Sequence, residues 1–173
     1  MIDLIKKLIN TKSVAVGGKY ESRANIDESI FAVIHIWSEL RSKDPNTKVG
    51  AGVYEPTTGA LHMGYNGFNH GIPDEQSVWD NKDIESSHNK YTKVVHAEAN
   101  AIMKALRARF NPDGAILYCT HWPCHRCIKD FIIPSGIKTI KYLQDYPPDK
   151  ETFELLKDTD IKITAIRLDF SGI

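Results

Sequence analysis

The chain has 173 residues, 42% of them hydrophobic and 25% charged, the proportions of a soluble globular protein with one domain over 1–173. Its 22 Lys and Arg balance 22 Asp and Glu, and a formal net charge of zero argues against a partner such as a nucleic-acid polymer, which is gripped by neutralising phosphates. No apolar run nears the roughly 18 residues needed to cross a bilayer, and the N-terminal MIDLIKKLINTK interrupts its apolar residues with charges, so no membrane partner and a cytoplasmic location are expected.

In chain order, residues 1–11 have the spacing of a short helix, and 12–25, with Gly17-Gly18, read as a loop; together they form an N-terminal extension over 1–25. Asp27 is placed to cap a helix running to about Arg41, with Ile30, Phe31, Ile34, Trp37 and Leu40 at helical spacing. Ser42 to Thr47 is a loop, because Asp44-Pro45-Asn46 favours a turn. Val49–Tyr54 and Ala60–Tyr65 read as a β-hairpin. Residues 66–93 are a long polar insertion, in which Phe68 and Trp79 either form a lid or anchor the loop. Val94 to Arg109 is expected as a helix, Ala115–His121 as a strand and Cys124–Ile133 as a helix stopped by Pro134-Ser135-Gly136. A strand at Thr139–Leu143, a helix at Lys150–Leu156 and a strand at Ile161–Leu168 complete the chain. A hairpin followed by alternating strands and helices implies an α/β fold with one mixed sheet and helices on both faces.

Two segments carry chemistry: Val95-His96-Ala97-Glu98 and Pro123-Cys124-His125-Arg126-Cys127. H-x-E followed by P-C-x-x-C is the pattern of zinc deaminases acting on nucleobases, and the reading of it here is recognition before it is derivation. The physics is consistent with it. Catalytic zinc takes three protein ligands and keeps one position open, and His96, Cys124 and Cys127 supply three. Cysteines three apart on a first helical turn point the same way, and the helix start eases their ionisation. Pro123 suits that start because it has no N–H to leave unsatisfied. Glu98, two residues past the histidine, is placed to move protons rather than to bind metal. The plainer alternatives are a redox pair or a structural site whose fourth ligand is Cys119, His121 or His125. A redox pair has no need of His96 and Glu98. Cys119, in mid-strand, is expected as a small buried apolar residue, and His35 as a core or surface histidine.

Over residues 25–168 the chain resembles the deoxycytidylate (dCMP) deaminase family. The resemblance rests on HAEANAI from His96, on PCHRC from Pro123, on Arg41-Ser42-Lys43-Asp44-Pro45-Asn46-Thr47 and on Gly64-Tyr65-Asn66-Gly67. It implies a three-layer α/β/α cytidine-deaminase-like fold with a five-stranded mixed sheet, one catalytic Zn2+, conversion of dCMP to dUMP and a homohexamer. It also implies dCTP as activator and dTTP as inhibitor, with Mg2+. By position, Asn46 and Ala97 would contact the substrate, with Ser42, Lys43 and Tyr146 as further substrate or phosphate contacts, and Asn66 and Gly67 would lie in the effector site. Some viral members carry a second zinc; no cysteine lies outside 119–127 here, and only His62, His70 and His88 would be at hand for one. In a viral member the location would be the host cytosol. The alternatives are a deaminase of other or broader substrates, such as dCTP, modified dCMP or a nucleoside, and a deaminase-fold module that binds deoxynucleotides without turnover.

Overall fold

A computed structural model of the chain describes residues 24–144 and 150–167. The helix expected over 1–11, nearly all of the loop over 12–25, and Tyr146 lie outside them. Among the described residues no helix is long and apolar enough to cross a membrane.

The first helix, α1, spans Ile26–Arg41. Asp27 does not cap it. Asn25 does, in a reciprocal capping box: its Oδ1 accepts from the Glu28 amide at 2.9 Å, and Glu28 Oε2 accepts from the Asn25 amide at 2.7 Å. Asp27, freed from capping, points at the sheet, where its carboxylate accepts from Tyr118 Oη at 2.6 Å and Lys141 Nζ at 2.7 Å. The hairpin strands are β1 (Gly50–Tyr54) and β2 (Leu61–Tyr65).

The 66–93 segment has more structure than its polarity suggests. It contains β3 (Gly67–Phe68), α2 (Gln76–Asp80) and α3 (Lys90–Lys93). Trp79 is 1% exposed, stacks on Phe68 with ring centroids 4.2 Å apart, and donates its indole N–H to Asp74. This pair anchors the segment rather than covering the cavity described below. Val94–Val95 (β4) pairs with β3, so the helix expected from Val94 begins only at Ala97, as α4 (Ala97–Arg107).

The remaining elements are β5 (Ile116–His121), α5 (His125–Cys127), β6 (Thr139–Gln144), α6 (Lys150–Lys157) and β7 (Lys162–Ala165). After Cys127 the chain is π-helical over Ile128–Ile132 and 3-10 over Ile133–Ser135, where Pro134 and the left-handed Gly136 end it. The expected single helix from Cys124 is therefore a composite of three windings.

The five main strands form one sheet in the order β2-β1-β5-β6-β7. β1 runs antiparallel to both its neighbours, β2 and β5, and β5, β6 and β7 run parallel to one another. α1 buries Ile30, Phe31 and Ile34 on one face, with the Phe31 and Tyr118 rings edge-to-face at 5.2 Å. α4 and the windings after Cys124 cover the other face, together with Ala51, Val53, Leu117 and Ile140. Both layers press hardest at one end of the hairpin. A Cβ at Gly50 would stand 2.3 Å from the Ile34 carbonyl oxygen of α1, and one at Gly64 would stand 2.3 Å from that of Ala97 in α4. Because Gly50 pairs with Tyr65 and Ala51 with Gly64, the two glycines are neighbours across the strands. The small Ala97, Ala101 and Ala105, all fully buried, complete this close approach of α4 to the sheet.

Candidate active site

Two chain segments meet at the pinched end of the sheet. β4 delivers His96 to the N-cap of α4, and β5 runs through His121 and Pro123 to Cys124, the N-cap of α5. His96 Nδ1 lies 3.4 Å from the sulfurs of both Cys124 and Cys127. Zinc bonds of about 2.0 Å to nitrogen and 2.3 Å to sulfur at tetrahedral angles would hold such atoms about 3.5 Å apart. The three ligand atoms lie within 4.8 Å of one another, and neither Cys119, His121 nor His125 belongs to the group. Cys119 is fully buried in β5, as a small apolar residue would be. Three converging ligands with no fourth among the described residues is the arrangement of an open site.

The protein's own electrostatics also favour a cation here. A hydrogen bond from Cys127 holds the Cys124 thiol down to about 4, opposed by burial and assisted by His96. The same hydrogen bond, with burial, pushes the Cys127 thiol far above its ordinary range. His96 is raised, first by its hydrogen bond to Cys124. Two sulfurs thus compete for one proton, and a dication that both can ligate as thiolates removes the conflict. The residues fit zinc in donor type, in number and in spacing.

Glu98, on the first turn of α4, is 4% exposed. Burial pushes its carboxyl above the usual range, and the neighbouring His96 draws it back only in part. A carboxyl whose burial eases its protonation is suited to passing protons. His96, Ala97, Glu98 and Cys124 line one wall of a cavity of about 350 Å³. Val49, Tyr91, Val94 and Trp122 give it apolar sides, and Asp44, Thr47, Asn66 and Lys90 a polar wall.

That polar wall is organised around Asp44, which is 4% exposed. Its Oδ1 accepts from the amides of Asn46 at 2.9 Å and Thr47 at 3.2 Å, and Oδ2 accepts from Asn66 Nδ2 at 3.3 Å. Lys90 Nζ reaches the two oxygens at 3.3 and 3.1 Å. Burial would raise the Asp44 carboxyl, but the Asn46 amide, Lys90 and the Thr47 amide outweigh it and hold it below its ordinary value.

The other expected contacts are spread around this wall. Asn66 lines the cavity, and its side chain is occupied by Ser42, Thr47, Val49 and Asp44. Gly67 sits in β3, with no room for a β-carbon beyond 3.0 Å of the Tyr65 ring. Ser42 is buried and donates to the Asn66 carbonyl at 2.9 Å, one step behind the cavity. Asn46 is exposed, is not among the residues lining the cavity, and accepts from Lys82 Nζ at 3.4 Å. Lys43 is 62% exposed and ion-paired to Asp74 at 3.2 Å, off the cavity wall. His35 is partly buried on α1, and burial lowers its pKa.

Sequence reading passed over Asp44, Lys90 and Trp122. Asp44 had a visible signal, since an Asp-Pro-Asn turn invites the aspartate to accept from the amides that follow. Lys90 had none, being one lysine in a polar stretch.

Residues 25–144 match the family model described as the cytidine and deoxycytidylate deaminase zinc-binding region. The chain is similar to the deoxycytidylate deaminase of Mus musculus, 35% identical over 154 residues that cover 83% of this chain and 85% of that one. It is similar to that of Pongo abelii, 35% identical over 145 residues covering 83% and 74%. It is also similar to a probable deoxycytidylate deaminase of Drosophila melanogaster, 35% identical over 135 residues, of which it spans 65% of the length. Among solved structures it resembles the dCMP deaminase from the cyanophage S-TIM5 in complex with dCMP and dUMP, with a TM-score of 0.66, 26% identity and coverage of 84% of this chain and 99% of that one.

Proposed function

Since the chain belongs to the cytidine and deoxycytidylate deaminase family, we propose that it hydrolyses the exocyclic amine of dCMP, giving dUMP and ammonia. The observation that carries this reading is the Glu98 carboxyl, buried in the same cavity as the convergent His96, Cys124 and Cys127. A module that only bound deoxynucleotides would gain nothing from a buried, raised carboxyl at that place. The complex of the similar cyanophage enzyme with dCMP and dUMP supports the choice of substrate.

His96, Cys124 and Cys127 would hold one Zn2+, which when bound supplies a Lewis acid able to make water nucleophilic near neutral pH. Glu98 takes the proton that the attacking water loses and delivers it to the ring nitrogen of cytosine. Water oxygen bonds to C4, which becomes tetrahedral, and Glu98 then takes the proton of the new C4 hydroxyl and hands it to the departing amine, so that the C4–N bond breaks, ammonia leaves and the carbonyl forms. Ala97, first in α4, offers its backbone to the base edge. Asn46, next to Thr47 of the cavity wall, contacts the sugar or the base. Ser42 serves the substrate through Asn66, and by family position Lys43 and Tyr146, the latter outside the described residues, are further candidates for substrate or phosphate contact.

Regulation follows the family pattern in this reading: a homohexamer in the cytoplasm, activated by dCTP and inhibited by dTTP with Mg2+. Asn66 and Gly67 belong to the effector site. An effector that shifts the turn at Asn66 pulls on Ser42 and Asp44, because the Asn66 side chain is bonded to both.

The experiment is loss of ultraviolet absorbance by the zinc-loaded protein with dCMP, dCTP, deoxycytidine and CMP, each with and without dTTP. The reading requires dCMP to be the preferred substrate and dTTP to suppress it. Equal turnover of dCTP would make the enzyme a broader nucleotide deaminase. Zinc-loaded protein that releases no ammonia from any cytosine would overturn the reading.

A further inference from the structure

The cavity's polar wall holds a feature that the deamination chemistry leaves unused. Lys90 is the one lysine or arginine among the described residues that line it. Its ammonium is buried, at 11% side-chain exposure, in a chain where lysine is mostly a solvated surface residue. Its described acceptors are the two oxygens of Asp44, at 3.3 and 3.1 Å. An ammonium has three N–H donors, so the pairing with Asp44 leaves one for a group inside the cavity.

Asp44 does not depend on Lys90 alone. It also accepts from Asn46, Thr47 and Asn66, so its charge stays solvated if the lysine is shared with a second anion. The separation along the chain also suits a nucleotide. Lys90 lies three residues of helix and three extended residues before His96, which places their Cα atoms at most about 15 Å apart, the scale of a nucleotide rather than of a bare base. Both residues line the same cavity, and Val94 lies between them along the wall.

We propose that Lys90, held by Asp44, is the residue that recognises the phosphate of the substrate and so selects a nucleoside monophosphate over a nucleoside. This rests on the deaminase reading above and deepens it. The Lys90 ammonium lies over the Tyr91 ring, 5.4 Å from its centroid, and Asp44 pairs with it, so the ammonium meets the phosphate already oriented.

The test is the ratio of kcat/KM for dCMP to that for deoxycytidine in zinc-loaded wild type, Lys90→Met and Lys90→Arg. Loss of one charge-assisted hydrogen bond to phosphate should lower that ratio by about 10- to 100-fold in Lys90→Met, mainly through KM for dCMP. Lys90→Arg, which keeps the charge, should restore much of it. If Lys90→Met does not fold because Asp44 is left unpaired, the double variant Asp44→Asn/Lys90→Met removes both charges and is measured in the same way. Equal losses on both substrates would make Lys90 a structural strut only and overturn the proposal. So would a ratio that collapses in Lys43→Met but not in Lys90→Met. If wild type turns over neither substrate, the deaminase reading fails. The assignment of Lys90 is then decided by calorimetry with dUMP and deoxyuridine: selective weakening of dUMP in Lys90→Met supports it, and unchanged dUMP affinity overturns it.

Discussion

Gly64 of β2 lies directly against the backbone of Ala97, so close that a β-carbon at residue 64 would stand 2.3 Å from the Ala97 carbonyl oxygen and 2.5 Å from the Ala101 nitrogen. Both obstacles are backbone, and no rotamer change relieves them. Gly64→Ala must push α4 away from the sheet, and α4 carries His96 and Glu98. We expect a loss of about 1–3 kcal/mol in stability, measured by urea unfolding, together with lower zinc occupancy. Full occupancy and unaltered stability in Gly64→Ala would contradict this packing.

Glu98→Gln keeps the volume and removes the titratable proton. Turnover should fall by about 100- to 10,000-fold, while zinc per chain, measured by atomic absorption, stays at the wild-type value. Thermal stability should hold or rise, because a buried carboxyl raised by desolvation is replaced by a neutral amide. A Gln variant with zinc bound and near-normal turnover would remove Glu98 from the chemistry.

The three cysteines should differ sharply once metal is chelated. Cys124 is held down to about 4, chiefly by its hydrogen bond from Cys127, whereas burial pushes Cys119 well above its usual range. Iodoacetamide at pH 6 should therefore label Cys124 first, since the thiolate is the reacting form. Mass spectrometry of the digest reads the site, and added zinc should protect it. Labelling of Cys119 at a comparable rate would refute the assignment.

Asp44→Asn should destabilise the fold by about 3–5 kcal/mol near neutral pH, since it strands the buried Lys90 ammonium. The folded Asp44 carboxyl is depressed below its ordinary value of 3.8. Its contribution is thus fully present above about pH 4 and is lost as pH falls through the folded value. The stability gap between wild type and Asp44→Asn, followed by urea unfolding from pH 7 to pH 3, should narrow only at the acid end. A gap that is constant with pH would mean that the charge is not what matters.

Elements with their own periodicity were legible in the chain. α1, the hairpin, β5 and β6 stand within one or two residues of their expected spans, because each has an apolar pattern that only one regular structure satisfies. The candidate metal ligands were legible for a chemical reason: H-x-E joined to P-C-x-x-C offers three soft or borderline donors and a carboxylate, a set that a redox pair would not need. What could not be read depended on partners distant in sequence. Asn25 and Asp27 are both good caps, and Asp27 loses that role only because Tyr118 and Lys141, 91 and 114 residues away, claim its carboxylate. Val94–Val95 looked like a helix start until β3 offered it a ladder. The Asp44–Lys90 pair spans 46 residues and is invisible to any local pattern.

The position of β5 between β1 and β6 has a consequence for how the protein acquires its metal. His96 and Cys124 are 28 residues apart, and β5, which leads into Cys124, pairs antiparallel with β1 and parallel with β6, so that Ala51 meets Cys119 and Cys119 meets Tyr142. Such non-local pairing forms slowly compared with hairpins and helices. A chain in which β5 has not docked does not hold its Cys-x-x-Cys against the histidine, and offers a weaker and less selective trap. Metal retained at high affinity reports that the central strand is in place, and by mass action it also holds the strand there. Depletion of zinc in a growing cell would then lower the amount of folded protein as well as the activity of each molecule.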